Sequence, residues 1–431
     1  MRRIPGEEIV DFLSFSHPPN HVPAGFKNFR ERDWKRALQW LDDSGLAFYF
    51  RRRLKDSGCA NTIPTWVMSH LEQRFGANRQ RVDEMEQWFE LLNRKFNEAG
   101  VRFVVVKGLS IVPQFCSDAY LRHQSDFDYL VDEQSLPIAQ RIVLETGYNW
   151  KPSSSNQDIV FIRGSGDPSR GPEQYMAETP HAVELHLDFW DSQQFNLPEM
   201  PRLFDVDRAI THRLKGVAFP VLRDEDAFLL QVLHAFQHIF TYWIRMSSLF
   251  EIGYFLNQRA SDTSLWNLVE QRVGDNLVLR EFVVVITELV ANLFSAPVPP
   301  LVRVWAREIR PATRVWIENY ARHCAFCVVY SHEFCLLPKS KLVLFLYRQY
   351  EDACVQRHLV RNRLVRFTRL SRIAASIKGE PSLVLRAGWW KRQLFVGRSV
   401  FHVLAGLRYV FEIPRWWWLN QKVVQSTTRP F

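Results

Sequence analysis

The chain has 431 residues, with 55 Lys and Arg against 46 Asp and Glu, which gives a formal net charge of +9. This length predicts two or more domains, and a hydrophobic content of 47% is typical of globular proteins. No stretch approaches the ~18 apolar residues that a membrane span needs, and the acidic residues after Arg2 and Arg3 argue against a secretory signal. We therefore expect a cytoplasmic protein, with peripheral membrane attachment left open.

The positive charge is concentrated in the basic C-terminal region, residues 301–431. This region holds 23 Lys and Arg against 7 Asp and Glu, a balance of +16, so the first 300 residues carry −7. Trp389, Trp390 and the run Trp416 to Trp418 lie among its basic residues. Such a mixture predicts an anionic partner, either RNA or a membrane surface. Its long apolar stripes favour another interpretation, a helical appendage docked on protein.

The N-terminal part, residues 1–99, is predicted to be helical. Apolar residues recur there at helical spacing in four segments, each bounded by Asp, Ser, Gly or Pro. These segments are Trp34–Leu41, Phe48–Leu54, Pro64–Phe75 and Val82–Phe96.

A change of period at Arg102 predicts a buried strand. Phe103 to Val106 is an apolar, mostly β-branched run, and Lys107-Gly108 ends it. A helix is expected to start near Ser110. A strand, a glycine-containing turn and a helix N-terminus together predict an anion site, because free backbone N–H groups point outward there.

Asp126 and Asp128 form the central motif. On a strand from Ser125 to Val131 they share one face, so two carboxylates lie close together and repel. A hard divalent cation such as Mg²⁺, or Mn²⁺, relieves that repulsion. A solvated edge strand is the alternative. If the metal site is real, we expect Asn at either position to abolish activity and to leave stability unchanged or higher.

A second strand with alternating residues adds a third carboxylate. Between Ala182 and Asp188, apolar residues occupy one face and Glu184 the other. Glu184 is therefore in phase to join the aspartates from a neighbouring strand.

Two further clusters have both a structural and a functional interpretation. His234 and His238 share a helix face, and without an evident third ligand we interpret them as core or pocket-lining residues rather than metal ligands. Cys324, Cys327, His332 and Cys335 approach a zinc-knuckle spacing, but the residues between them favour buried helical thiols.

As a set, the motifs resemble the uncharacterised bacterial nucleotidyltransferase family, a branch of the DNA polymerase beta-like superfamily. The resemblance covers roughly residues 30 to 260. It rests on Val106-Lys107-Gly108, Leu121-Arg122, Ser125-Asp126-Phe127-Asp128-Tyr129-Leu130-Val131, Gly147-Tyr148 and His181-x-Val183-Glu184-Leu185-His186.

The resemblance implies an α+β fold in which the minimal nucleotidyltransferase mixed sheet is flanked by helices. It also implies that Asp126, Asp128 and Glu184 hold two Mg²⁺ ions and that an acceptor hydroxyl attacks the α-phosphate of a nucleoside triphosphate, with ATP expected. The acceptor, a small molecule, a peptide or RNA, stays open. With the helical regions, this predicts an N-terminal helical part (1–99), a nucleotidyltransferase core (100–200), a helical domain closing the cleft (201–300) and a basic appendage (301–431).

One departure concerns the nucleotide contacts. The wider superfamily has Gly-Ser where this chain has Lys107-Gly108, so Lys107, Gly108, Ser110 and Arg122 are the candidate contacts. The alternative function is a catalytically inactive module that binds nucleotide, RNA or membrane.

Overall fold

The computed structural model describes residues 5–18, 21–152, 158–164, 171–190, 200, 202–214, 216–241, 245–326, 342–349 and 403–425. The chain forms two compact units. The first consists of Met1–His238 and Arg245–Glu308, and the second of Ile239–Ile244 and Ile309–Phe431. The finer division at residues 99, 200 and 300 stays a prediction.

Four helices precede the sheet. They are α1 (Pro5–Phe12), α2 (Glu31–Ser44), α3 (Ala47–Asp56) and α4 (Thr65–Glu98). The sequence predicts two helices where α4 runs unbroken through Gly76. That glycine is exposed and costs only about 1 kcal/mol relative to alanine, which a helix of 34 residues tolerates.

The first unit contains a seven-stranded mixed sheet, which confirms the predicted α+β class. Its strand order is β3-β4-β5-β2-β1-β7-β6. The strands are β1 (Phe103–Val106), β2 (Asp126–Val131), β3 (Asn149–Lys151), β4 (Asp158–Arg163), β5 (His181–His186), β6 (Ile210–Leu214) and β7 (Val217–Val221). Helix α5 (Leu136–Glu145) connects β2 to β3.

Helix α4 covers one face of the central strands. Phe127 and Tyr129 of β2 are buried and contact Phe89 and Phe96 of α4, with ring centroids 5.7 Å and 5.2 Å apart in the two closest pairs. Because side chains alternate along a strand, the opposite face of β2 presents its carboxylates. This packing therefore decides which side of the sheet carries the site.

Five helices complete the described part of the first unit. They are α6 (Asp224–Thr241), whose last residues belong to the second unit, α7 (Met246–Arg259), α8 (Thr263–Val273), α9 (Leu277–Phe294) and α10 (Pro300–Glu308). Helix α9 has twelve buried residues and forms the centre of this helical layer.

The second unit has its own aromatic core. Phe345 stacks on Trp416 of the helix at 403–425, with centroids 4.7 Å apart and planes 12° apart. The Trp316 indole N–H donates to the Leu342 carbonyl oxygen. Among the described residues, no helix is both long and apolar enough to cross a membrane.

Candidate functional site

The carboxylates meet where β2 and β5 pair in parallel. Asp128 lies opposite Glu184 in this ladder, and Val106 of β1 lies opposite Asp128 on the other side. One ligand atom each from Asp128, Glu184 and His186 all lie within 4.8 Å of one another. That group does not include Asp126. The structure thus brings two of the three predicted carboxylates together and adds a histidine.

Two basic groups hold Asp128. The Lys107 ammonium lies 2.7 Å and the His186 Nε2 3.0 Å from the same carboxylate oxygen, and the Asp128 side chain is only 3% exposed. Burial alone would raise the pKa of Asp128, but Lys107 and His186 outweigh it and lower that pKa to about 2. Asp128 is therefore ionised, and one of its two oxygens contacts both bases.

The other two carboxylates are destabilised as anions. Burial and the charge of Asp128 raise the pKa of Asp126. Burial, Asp128 and Asp126 raise the pKa of Glu184 to about 7. Because the three acids raise one another's pKa, a bound divalent cation would stabilise their ionised forms.

His186 and Asp158 were missed as site residues by the sequence analysis. The His186 Nδ1 lies 2.7 Å from an Asp158 oxygen, while its Nε2 faces Asp128 and lies 3.7 Å from Glu184. Burial lowers the pKa of His186, but the bonds to Asp128 and Asp158 reverse this and raise it to about 9. The position of His186, two residues after Glu184 and on the same face of the strand, was the sequence signal that could have identified it. No sequence signal pointed to Asp158.

The Lys107-Gly108 turn has a backbone that few side chains allow. Lys107 has φ 60° and ψ −168°, and Gly108 has φ 54°. A Cβ at Gly108 would collide with the amide nitrogen of the Gln124 side chain. The Ser110 hydroxyl donates to the Lys107 carbonyl oxygen at 2.8 Å, so it stabilises the turn. Only a short 3₁₀ turn, Gly108–Ile111, follows where the sequence predicts a helix.

Arg122 is held by a buried acid. Its Nε donates to Glu251 of α7 at 3.0 Å, and the Tyr49 hydroxyl donates to the same oxygen at 2.9 Å. Burial opposes the charge of Arg122, but Glu251 and its other anionic neighbours raise the pKa of the guanidinium. Its positive charge also favours the ionised form of Asp126. Arg122 therefore acts on the site through its field and is engaged elsewhere by hydrogen bonds.

The two histidines of α6 bond to each other. Their Nε2 atoms are 2.8 Å apart, so one ring donates and the other accepts. Burial lowers the pKa of His234 well below its usual range and that of His238 to about 4, with the Lys107 charge acting in the same direction. Neither belongs to a metal-ligating group within the described residues. The pair fits the expected pocket-lining role.

Two other possible metal sites have less support. The imidazoles of His17 and His21, beside Asp11, are stacked with centroids 3.8 Å and planes 20° apart, so their in-plane lone pairs run parallel rather than converge. Of the four residues that approach a zinc-knuckle spacing, Cys324 is described and is buried. Cys327, His332 and Cys335 lie outside the described residues.

The main cluster fits a divalent metal because the carboxylate oxygens of Asp128 and Glu184 lie close together, and such oxygens are the ligands that Mg²⁺ and Mn²⁺ prefer. The raised pKa of His186 makes this ring a hydrogen-bond donor to the acids rather than a metal ligand. A comparison with curated proteins finds no match to the chain. A profile of the family described as "Uncharacterised nucleotidyltransferase" matches residues 30–295, more than half of the chain and all of the sheet. The chain belongs to this family of nucleotidyltransferases.

Proposed function

We propose that the protein is a metal-dependent nucleotidyltransferase that moves a nucleoside monophosphate from a nucleoside triphosphate, ATP first, to an acceptor hydroxyl. The observation that carries the proposal is the set of acids on β2 and β5, in which the half-buried Asp126 and Glu184 have raised pKa values beside a buried, ionised Asp128. Acids placed at this mutual cost are typical of functional sites. The family assignment supports the same class of reaction.

In this proposal Asp126, Asp128 and Glu184 would hold Mg²⁺. The metal would supply Lewis-acid stabilisation of the phosphoryl oxygens. Glu184 also orients the acceptor, since its side chain is 29% exposed while Asp128 is enclosed. His186 fixes the orientation of Asp128 through its bond to Asp158.

The donor phosphates are proposed to bind on the basic side of the cluster. Lys107 supplies an ammonium and Gly108 a backbone N–H group, while Ser110 holds the turn because its N–H and its hydroxyl both donate to the Lys107 carbonyl oxygen. Arg122 contributes its field. Arg245 is a further candidate, because its charge reaches Asp126 and His123 and because, within the part of the chain that the structure describes, its side chain makes no ion pair or hydrogen bond.

The test is release of pyrophosphate from ATP with Mg²⁺ or Mn²⁺ and a panel of acceptors. We expect Asp126→Asn, Asp128→Asn and Glu184→Gln each to lower the rate by a factor of ~10² or more, because each removes a metal-binding charge. Asp132→Asn is the matched control: Asp132 directly follows β2 but pairs with Arg102, away from the cluster. Wild-type rates in the Asp126 and Asp128 variants would refute the assignment.

A second candidate is nucleotide binding without turnover. The ion pair of Lys107 with Asp128 favours it, because the ammonium balances a charge that a metal would otherwise balance. This protein would bind ATP and release no pyrophosphate with any acceptor. Equilibrium binding measured together with pyrophosphate release distinguishes the two functions.

For the basic C-terminal region we keep the proposal of an anionic partner, RNA or a membrane surface, and for the whole chain a cytoplasmic location. The charge balance of residues 301–431 supports the anionic partner. Most of this region lies outside the described residues.

A further inference from the structure

Arg81 of α4 is a fully enclosed cation whose hydrogen bonds, within the described chain, all go to backbone carbonyl oxygens. Arg81 is only 1% exposed to solvent. Its three guanidinium nitrogens donate to four oxygens: those of Gln124 at 2.9 Å, Met176 at 3.0 Å, Thr179 at 2.7 Å and Pro180 at 3.3 Å.

These carbonyls belong to the two segments that lead into the carboxylate strands. Gln124 is two residues before Asp126, where β2 begins. Thr179 and Pro180 directly precede β5, which carries Glu184. At the same point the Ala182 N–H donates to the Ser125 carbonyl oxygen at 3.0 Å. One guanidinium therefore holds together the entrances of both strands.

A buried guanidinium needs such partners. Burial disfavours the charged form of Arg81 and lowers its pKa, so enclosing this cation is costly unless its N–H groups find acceptors. Each hydrogen bond to a charged group contributes ~1.5–3 kcal/mol. The planar fork offers five N–H groups in fixed directions, whereas a lysine offers its three from one atom. Asn78, one turn earlier on α4, donates to the carbonyls of Tyr120 and Arg122 and secures the same loop.

We propose that Arg81 is a positioning residue that sets the distance between the β2 aspartates and Glu184 by clamping the segments before both strands. The inference rests on the proposed function for its effect on metal and nucleotide, and on the hydrogen bonds alone for its effect on strand pairing. This role of Arg81 adds to the packing role of α4, which covers the face of the sheet opposite the carboxylates.

The test compares Arg81→Met and Arg81→Lys with Arg51→Met. Arg51 is the matched control: it is also a buried arginine, 8% exposed, but it pairs with Glu72 at 2.6 Å and lies over the Phe75 ring, away from both carboxylate strands. All variants are assayed below their melting temperatures, and signals are scaled to the folded fraction measured by circular dichroism.

The first readout is amide hydrogen exchange, which needs neither metal nor turnover. We expect exchange in residues 181–186 and 126–131 to become at least ~10-fold faster in Arg81→Met than in Arg51→Met at matched global stability, because the clamp is lost only in the first. Arg81→Lys should be intermediate. Equal exchange in the two methionine variants would overturn the clamp. Full protection in Arg81→Lys would overturn the requirement for the planar fork, since three N–H groups on one atom would then suffice.

The second readout is Mn²⁺ affinity, followed by kcat and KM. Loss of a residue that orients metal ligands costs about 10–100-fold in affinity, so Arg81→Met should show that loss and Arg51→Met should not. If hydrogen exchange responds as expected but the wild type binds no Mn²⁺, the proposed function fails and the clamp stands. If the wild type binds Mn²⁺ and folded Arg81→Met binds it equally well, the positioning role is overturned while the proposed function stands.

Discussion

At the scale of single residues, Lys107 combines a strained backbone with a strong ion pair. Its φ and ψ fall in a region that is essentially restricted to glycine and costs other residues of order 1–3 kcal/mol. The ammonium bound to Asp128 offsets that cost. The family resemblance placed a glycine of the wider superfamily at this position, and the backbone explains why one would fit.

We predict that Lys107→Gly is more stable than Lys107→Ala by about 1 kcal/mol or more. Both variants lose the ammonium, but only glycine adopts this conformation without strain. Urea denaturation of the two proteins measures the difference. Equal midpoints and slopes would mean that the turn relaxes when lysine is removed. Both variants should also bind nucleotide more weakly, by about tenfold if a charge-assisted bond is lost.

The two aspartates of β2 are predicted to respond differently to substitution. Asp128→Asn removes the partner of two buried cations, and the shift of its pKa from 3.8 to about 2 corresponds to about 2 kcal/mol of lost stability. Asp126→Asn removes a repelled charge, so stability should stay the same or rise. Denaturation in EDTA compares them, and equal losses would contradict this assignment. From the sequence alone, both variants are expected to behave like Asp126→Asn.

At the scale of elements, β5 begins with a histidine, His181, whose neutral form is favoured by its surroundings. His181 is 6% exposed, lies 2.8 Å from the Tyr148 hydroxyl and packs edge-on to Phe127 of β2. Burial, with the charges of Arg81 and Arg163, lowers its pKa from 6.5 to about 4. The neutral ring therefore supports the pairing of β5 with its neighbours.

This shift predicts a loss of stability in acid. A base whose pKa is lowered on folding contributes its full stabilisation above its pKa in the unfolded chain, 6.5. That stabilisation is lost as the pH falls through the pKa of the folded protein, about 4. The loss should be about 3 kcal/mol. Urea titrations at pH 7.5 and 4.5 should show a smaller acid loss for His181→Gln than for the wild type. The same loss in both proteins would assign the effect to other groups.

At the scale of the whole molecule, charge separates the two ends of the chain. Residues 353–431 hold 15 Lys and Arg against 2 Asp and Glu. If this region binds RNA, affinity should fall by ~10³ or more between 50 and 200 mM salt when six or more phosphates are contacted. Titration against single-stranded RNA and against anionic and neutral vesicles at both salt concentrations measures this. If the protein binds neither RNA nor vesicles at low salt, the basic residues would instead belong to a helical appendage without an anionic partner.

The sequence by itself determined the three central strands β1, β2 and β5, the phase of their residues and the family, but not β6 and β7. Alternation along a strand puts Asp126 and Asp128 on one face, and apolar runs mark β1 and β5, because these patterns follow from local geometry. The α+β class was implied by the family resemblance, and the sheet confirms it. The long α4 was predicted as two pieces because Gly76 is a local signal, and the packing of the finished helix overrides it.

Only the tertiary structure decided the partners of these residues. The pairing of Asp128 with Lys107 and His186, of Arg122 with Glu251, and of Arg81 with four carbonyls joins segments distant along the chain. No local period encodes such contacts, since they depend on strand order and on where α4 and α7 pack. For the same reason the signs of the pKa shifts, which divide Asp126 from Asp128, could not be predicted from a motif that treats them alike.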